Sequence, residues 1–548
     1  MAVTLERPQA RRNGAAPQPG HPDTGPASPS AAPTPASRPA LRLLIVVAAM
    51  IGAVLEVLDT SITNVAIPQM QGNLGATLSQ IGWVNTGYII SNVIVLPITG
   101  WLSDRFGRRR YFAASIAAFT LASLMCGASH TLGSLIFWRV VQGLGGGGLL
   151  ATGQVIMLQA FPKSQQGVAT AIFGVGVMVG PTLGPVLGGW LTDNYSWPWI
   201  FFVNLPFGIA AMIMTLLFVP NVGGGKASGR VDFLGVGLLA AGLGALQTVL
   251  ERGQEDDWFQ SPEIVILSLV AILGLAAFMA WELSIPHPIV NLRLLKNRSL
   301  AAGSLFSLVI GVGLYATTYL LPVFLQSARG YTAYETGMSL LPSALLSAVS
   351  FVIAGPLAQK ADARALLAVG AVSFIAGSYG LSHLTAQTGT GDVFWPLMWR
   401  GLSLGFLFIP MTVASLGGLK AGEIGEGSGF INLSRQLGGS VGIAAFSTLL
   451  TRRQDFHRAA LADHVNPANP VVRDWLHGAQ ANLTAHGYSA TDAAAGALGQ
   501  LDGLVRQQAA ILSFNDAFLM IAAAFLLALP LVFVFQKGAD DVDTSAAH

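Results

Sequence analysis

From Leu41 onward the chain is a succession of apolar stretches, each roughly 18–25 residues long, the length a helix needs to cross a bilayer. They lie at about 43–66, 81–102, 111–129, 134–158, 168–191, 199–219, 233–250, 263–283, 301–325, 336–358, 365–385, 394–416, 429–450 and 515–536. The reading is an all-α membrane protein with 14 transmembrane helices. Composition agrees. Charged residues make up 10% of the 548, against about 25% in soluble domains, and the mean hydropathy is +0.59. A soluble enzyme of this size is excluded. A net charge of +2 speaks against nucleic acid, and the single Cys126 allows neither an internal disulfide nor a cysteine metal cluster. Residues 1–41 hold no apolar stretch and are rich in proline, so a disordered tail is expected, without a signal peptide.

An even number of spans puts both termini on one side. If that side is the cytoplasm, its tails and loops carry 19 Lys/Arg and the opposite side seven. This asymmetry predicts cytoplasmic termini. The halves also repeat weakly. Trp138-Arg139 resembles Trp399-Arg400, and Leu183–Gly188 resembles Leu437–Gly442. Internal duplication marks secondary transporters. It predicts two pseudo-symmetric six-helix halves, 42–219 and 301–536, with two inserted helices within 220–300 and a tail at 537–548. A polar loop is expected at about 451–512 on the outer side. Leu498, Leu501, Val505, Ala509 and Leu512 in it follow a helical spacing, which fits docking on the protein itself or on a partner.

Ionisable residues inside spans are costly and point to function. Span 1 carries Glu56 and Asp59, three residues apart and so on one helix face. Such carboxylates can carry protons, and Arg139 in span 4 is the natural counter-charge. Glu56, Asp59 and Arg139 are the candidates for proton coupling. The loop after span 2 combines Gly100, Asp104, Arg105, Gly107 and Arg108, where a tight turn meets a breakable charge lock, so a gating role is expected. In span 5, Gly176, Gly180, Gly184 and Gly188 stand four apart, beside Pro181, Pro185 and Gly189. That stripe admits a close neighbour, and the prolines favour a bend. Asn64, Asn85, Tyr88, Gln142, Arg400, Asn432, Arg435 and Gln436 are polar groups suited to a substrate cavity. The glycines at 143–148 follow no strand and precede no Gly-Lys-Ser/Thr, so they are not a phosphate loop. No Ser/His/Asp set or metal cluster suggests an enzyme, and no nucleotide-binding signature suggests ATP as the energy source.

Together these residues resemble the major facilitator superfamily, specifically its 14-span drug:proton antiporters of the EmrB/QacA type. Leu58–Pro68 is similar to that subgroup's span-1 signature, Gly100–Arg110 to the superfamily loop, and Trp138–Gly143 to the span-4 signature used in proton coupling. Gly176–Gly189 resembles the antiporter signature, which marks exporters. The run Asp193–Pro206 and the long loop ending near Asn515–Phe518 are similar to the EmrB branch. The resemblance implies a proton-driven exporter of amphipathic drugs in the cell inner membrane. It implies protons as coupling ion, no cofactor, lipid surroundings, and an EmrA-like periplasmic adaptor with an outer-membrane channel. An exporter dedicated to one metabolite, siderophore, fatty acid or antibiotic is the alternative. Glu56 is not expected in the subgroup, and the half-repeat Gly355–Asp362 of the loop signature is degenerate.

Overall fold

The computed structural model describes residues 39–162, 165–221, 232–286, 288–420, 422–466 and 469–535. The tails expected at 1–41 and 537–548 therefore lie almost wholly outside the described residues. In the N-terminal half the helices are α1 (Pro39–Leu74), α2 (Leu78–Val95), α3 (Thr99–Phe106), α4 (Arg108–Gly127), α5 (Leu132–Gly146), α6 (Leu149–Ala160), α7 (Gln166–Asn194), α8 (Trp199–Phe202) and α9 (Asn204–Phe218). The inserted pair is α10 (Phe233–Arg252) and α11 (Pro262–Ser284). The C-terminal half holds α12 (Arg298–Val323), α13 (Ala333–Lys360), α14 (Ala363–Leu381), α15 (Thr390–Leu416), α16 (Ile424–Ala462), α17 (Pro470–Ala485) and α18 (Ala490–Ala528). Twelve membrane-length apolar segments are present among the described residues. With α7 and α16 packed among them, the bundle has the expected 14 spans.

Span 6 is divided into α8 and α9 at Val203, and in spans 2 and 4 the sequence says why the helix breaks. Pro97 has no N–H to donate, and a 3-10 turn at Leu96–Ile98 separates α2 from α3. Consecutive glycines weaken the helix at 145–148, and span 4 becomes α5 and α6. The outer segment is helical instead of a polar loop. α16 and α18 run on past their apolar parts, and α17 packs on α18. Arg458 bonds Asp502 at 3.0 Å across them. The expected helical stripe keeps its phase over most of its length: Ala509 is buried and Leu501, Val505 and Leu512 are half-buried, whereas at its start Ala493 and Ala497 are buried and Leu498 is exposed. Small alanines let the helices approach there, and the larger Leu498 is left outside.

The halves meet through α7 along α13, and through α16 against α3 and α6. The glycine stripe serves a different contact. A Cβ on Gly176 would lie 2.5 Å from Met50 Cε, one on Gly180 2.9 Å from the Leu58 nitrogen, one on Gly184 2.5 Å from Ser61 Cβ, and one on Gly188 3.0 Å from Ile62. All four glycines press α7 onto α1. Gly189 faces open space. The Pro181 and Pro185 side chains lie outside what the structure describes. The second copy of the pattern does the same job: a Cβ on Gly442 would meet the Val312 carbonyl of α12 at 2.6 Å.

Candidate functional site

α1 carries Asp59 into the middle of the N-terminal half, with no exposed surface. Arg139 reaches it from α5, Nη1 to Oδ2 2.5 Å, and is equally buried. Gln142, one turn further along α5, donates to Asp59 Oδ1 at 2.9 Å and accepts from Arg139 Nη1 at 2.8 Å. Asn204 of α9 donates to the same Oδ1 at 3.2 Å, and Ser123 of α4 accepts from Asn204 at 3.1 Å. Arg139 Nε donates to the Val84 carbonyl at 3.1 Å. The guanidinium lies 4.3 Å from the Tyr88 ring centre and 5.6 Å from that of Phe201. The Asp59 carboxylate thus accepts three side-chain donors from two other helices.

Glu56 is buried beside this set but has other partners. Its Oε1 accepts from Asn92 Nδ2 at 3.0 Å and its Oε2 from the backbone N–H of Leu150 at 2.8 Å. Gln154 of α6 accepts from Ser428 (2.9 Å) and Asn432 (3.2 Å) of α16, and Asn432 in turn accepts from Arg435. The Arg435 guanidinium sits 5.3 Å from the Phe408 ring centre. Arg400 donates to Thr318 Oγ1 at 2.7 Å, and its Nε is buried without a partner. Among the described residues no carboxylate lies within ion-pair distance of Arg400 or Arg435. Asn64 and Asn85 pair with each other at 2.5 Å, beyond Asp59 toward the end away from the arginine-rich loop. The Gln436 carbonyl accepts from Ser440.

The loop residues sit apart from these, where the halves touch. A Cβ on Gly100 would lie 2.8 Å from Glu426, in the first turn of α16. Gly107 has φ +87°, a left-handed conformation that glycine adopts without steric cost, and it lets α4 start at once after α3. Arg108 is buried and donates to Gln159. Arg105 lies 5.6 Å from the Trp101 ring. Asp104 belongs to the last turn of α3. Burial, with the carboxylates of Asp104, Glu423 and Glu282 around it, raises the Glu426 carboxyl to about 7.

Of the sequence candidates, Asp59, Arg139, Gln142 and Tyr88 come together. Glu56 stands one turn away, and Arg400, Asn432 and Arg435 belong to the other half. Asn204, Ser123 and Gln154 were missed. An amide inside an apolar span is the signal that could have found Gln154. Among the described residues no cluster of three His, Cys, Asp or Glu side chains is suited to a metal.

The sequence profile of the Major Facilitator Superfamily matches residues 49–443. The multidrug export protein EmrB of Escherichia coli is 36% identical over 492 residues, 89% of this chain and 94% of that one. The fatty acid resistance protein FarB of Neisseria gonorrhoeae is 34% identical over 480 residues, 88% of this chain and 93% of that one. The human organic anion transporter MFSD10 (TETRAN) shares the fold, with a TM-score of 0.55 at 13% identity, covering 90% of this chain and 99% of its own.

Proposed function

This chain belongs to the Major Facilitator Superfamily as an EmrB-type drug transporter, and on that premise we propose that it exports amphipathic small molecules across the inner membrane in exchange for protons. The observation that carries the coupling is the fully buried Asp59–Arg139 pair. Removing one charge of a buried pair leaves the other uncompensated. A proton on Asp59 does this reversibly. Arg139 then keeps the Val84 carbonyl, the Gln142 amide oxygen and the Tyr88 and Phe201 rings. Two bundle states that hold this pair differently change in relative population by that difference. Asp59 is the proton carrier and Arg139 its sensor.

The Lys/Arg asymmetry supports placing the arginine-rich loop and both termini in the cytoplasm. The contact of Gly100 with α16 then closes the cytoplasmic side, and the loop residues act as its gate. The extension formed by α16, α17 and α18 lies in the periplasm. Its exposed Phe456, Val471, Tyr488 and Leu498 support docking of an adaptor that leads to an outer-membrane channel. For the substrate, a second reading has its own support. Among the described residues Arg400 and Arg435 have no carboxylate within ion-pair distance, and a relative is named for fatty acid resistance. Both favour an amphipath with an anionic head.

The test is transport of an amphipathic fluorescent dye into proteoliposomes under an imposed pH gradient. Wild type accumulates dye, and an uncoupler abolishes the accumulation. Asp59→Asn still binds dye but does not accumulate it. Normal uphill transport by Asp59→Asn refutes the assignment.

A further inference from the structure

The fourth span is jointed, and the two carboxylates of α1 hold opposite sides of the joint. α5 ends at Gly146 and α6 begins at Leu149. Asp59 takes hold of α5 through Arg139 and Gln142. Glu56 takes hold of α6 through the N–H of Leu150, a donor in the first turn of a helix that has no partner within it. A carboxylate at a helix N-terminus is also favoured by the aligned peptide dipoles. Asn92 supports Glu56 from α2, and its own Oδ1 is a buried acceptor without a donor. The joint itself has no room for side chains. A Cβ would lie 2.7 Å from the Phe119 nitrogen at Gly145 and 2.5 Å from the Asn92 carbonyl at Gly147, and it would strike the Tyr111 hydroxyl at Gly148. Beyond the joint, α6 carries the link to the other half, Gln154 to Ser428 and Asn432, and at its end Gln159 takes Arg108.

We propose that Glu56 is a positioning residue that pins α6 to α1, so that protonation of Asp59 swings α5 about the Gly145–Gly148 joint while α6 stays with α1 and the contact to α16. This rests on the coupling read above and adds what converts it into movement. Without the pin, a release at Arg139 would loosen the span as a whole, and the Gln154 contact with it. With the pin, the change is confined to α5. The role needs an acceptor at position 56 and not a charge. Glutamine supplies one: its amide oxygen can take the Leu150 N–H, and its amide N–H can reach Asn92 Oδ1 once the Asn92 amide is turned.

Spin-label distances test this in the full-length protein, since Cys126 is buried. One label goes on α1 at the exposed Asn73. The second goes either on α5 at the exposed Phe137 or on α6 at Gln159. Asp59→Asn, standing for the protonated state, is expected to shift the 73–137 distance and leave 73–159 in place. Adding Glu56→Met, which keeps the volume and removes the acceptor, is expected to shift 73–159 as well. Glu56→Gln in its place restores the 73–159 distance. In proteoliposomes Glu56→Met loses uphill transport at least tenfold with dye affinity kept, and Glu56→Gln recovers most of it. A 73–159 distance that moves in Asp59→Asn alone, or that stays when Glu56→Met is added, overturns the proposal. So does a Glu56→Gln variant as defective as Glu56→Met, because position 56 would then carry the proton. Failure of the coupling reading is a separate result: Asp59→Asn would pump normally while the distances report on the pin.

Discussion

In the N-terminal half, Arg139 of α5 meets Asp59 of α1. In the C-terminal half, Arg400 of α15 meets Thr318 of α12. The surroundings are alike. Each arginine follows a tryptophan, and each first helix of a half is approached through a glycine stripe, on α7 in one case and α16 in the other. The backbone repeats, but the charge balance does not. One guanidinium has a carboxylate and a full set of hydrogen bonds on that carboxylate. The other has a hydroxyl, and each guanidinium keeps one buried nitrogen without a hydrogen-bond partner, Nη2 of Arg139 and Nε of Arg400. The duplicated scaffold therefore holds a neutralised ion pair in one half and, among the described residues, a cation without a carboxylate at ion-pair distance in the other.

The sharpest way to break the comparison is to delete each arginine. Arg139→Ala leaves Asp59 buried without its counter-charge, and breaking such a pair costs about 3–5 kcal/mol. Thermal unfolding in detergent should show a large loss. Arg400→Ala removes a charge that has no carboxylate to abandon, so its melting point should stay near wild type while binding of an anionic amphipath weakens. Equal losses from the two variants would mean that the halves are electrostatically alike.

The glycine stripes come next. Gly184→Val forces a side chain against Ser61, and Gly442→Val forces one against Val312. Overpacking of this kind costs about 1–3 kcal/mol. Transport rates should fall in both, more than expression does, whereas Gly189→Ala, which faces open space, should behave as wild type.

A smaller effect is expected where the halves touch. Packing raises the Glu426 carboxyl from 4.5 to about 7, so the touching state binds its proton more tightly than a separated state would. That contribution is complete below pH 4.5 and is lost as pH rises through about 7. Spin labels on Phe106→Cys and Lys420→Cys should accordingly show a separated population that grows as pH rises from about 4.5 to about 7, and Glu426→Gln should flatten the response. The least effect belongs to the exposed pair Arg458–Asp502, at 47% and 40% side-chain exposure. Pairs of that kind contribute about 0–1 kcal/mol, so Arg458→Ala should leave thermal stability within that range, in contrast to Arg139→Ala.

The membrane class, the 14 spans, the internal duplication and the buried ionisable residue types are all legible along the chain alone. Hydropathy and helical spacing are properties of neighbouring residues, and the cost of a charge in lipid makes Glu56, Asp59, Arg139, Arg400 and Arg435 conspicuous without any knowledge of their neighbours. Tertiary structure decided which of them meet. Asp59 and Arg139 are 80 residues apart, and Asn204 joins them from 145 residues away. Spacing on α1 puts Glu56 and Asp59 on one face, yet packing gives one of them a guanidinium and the other a backbone N–H. The outer segment reads as a polar loop because hydropathy registers membrane burial and not helicity, whereas in the fold α16 packs on α18 there and α18 on α17. Composition names the groups that cannot sit alone in a membrane, and only the folded chain supplies their partners.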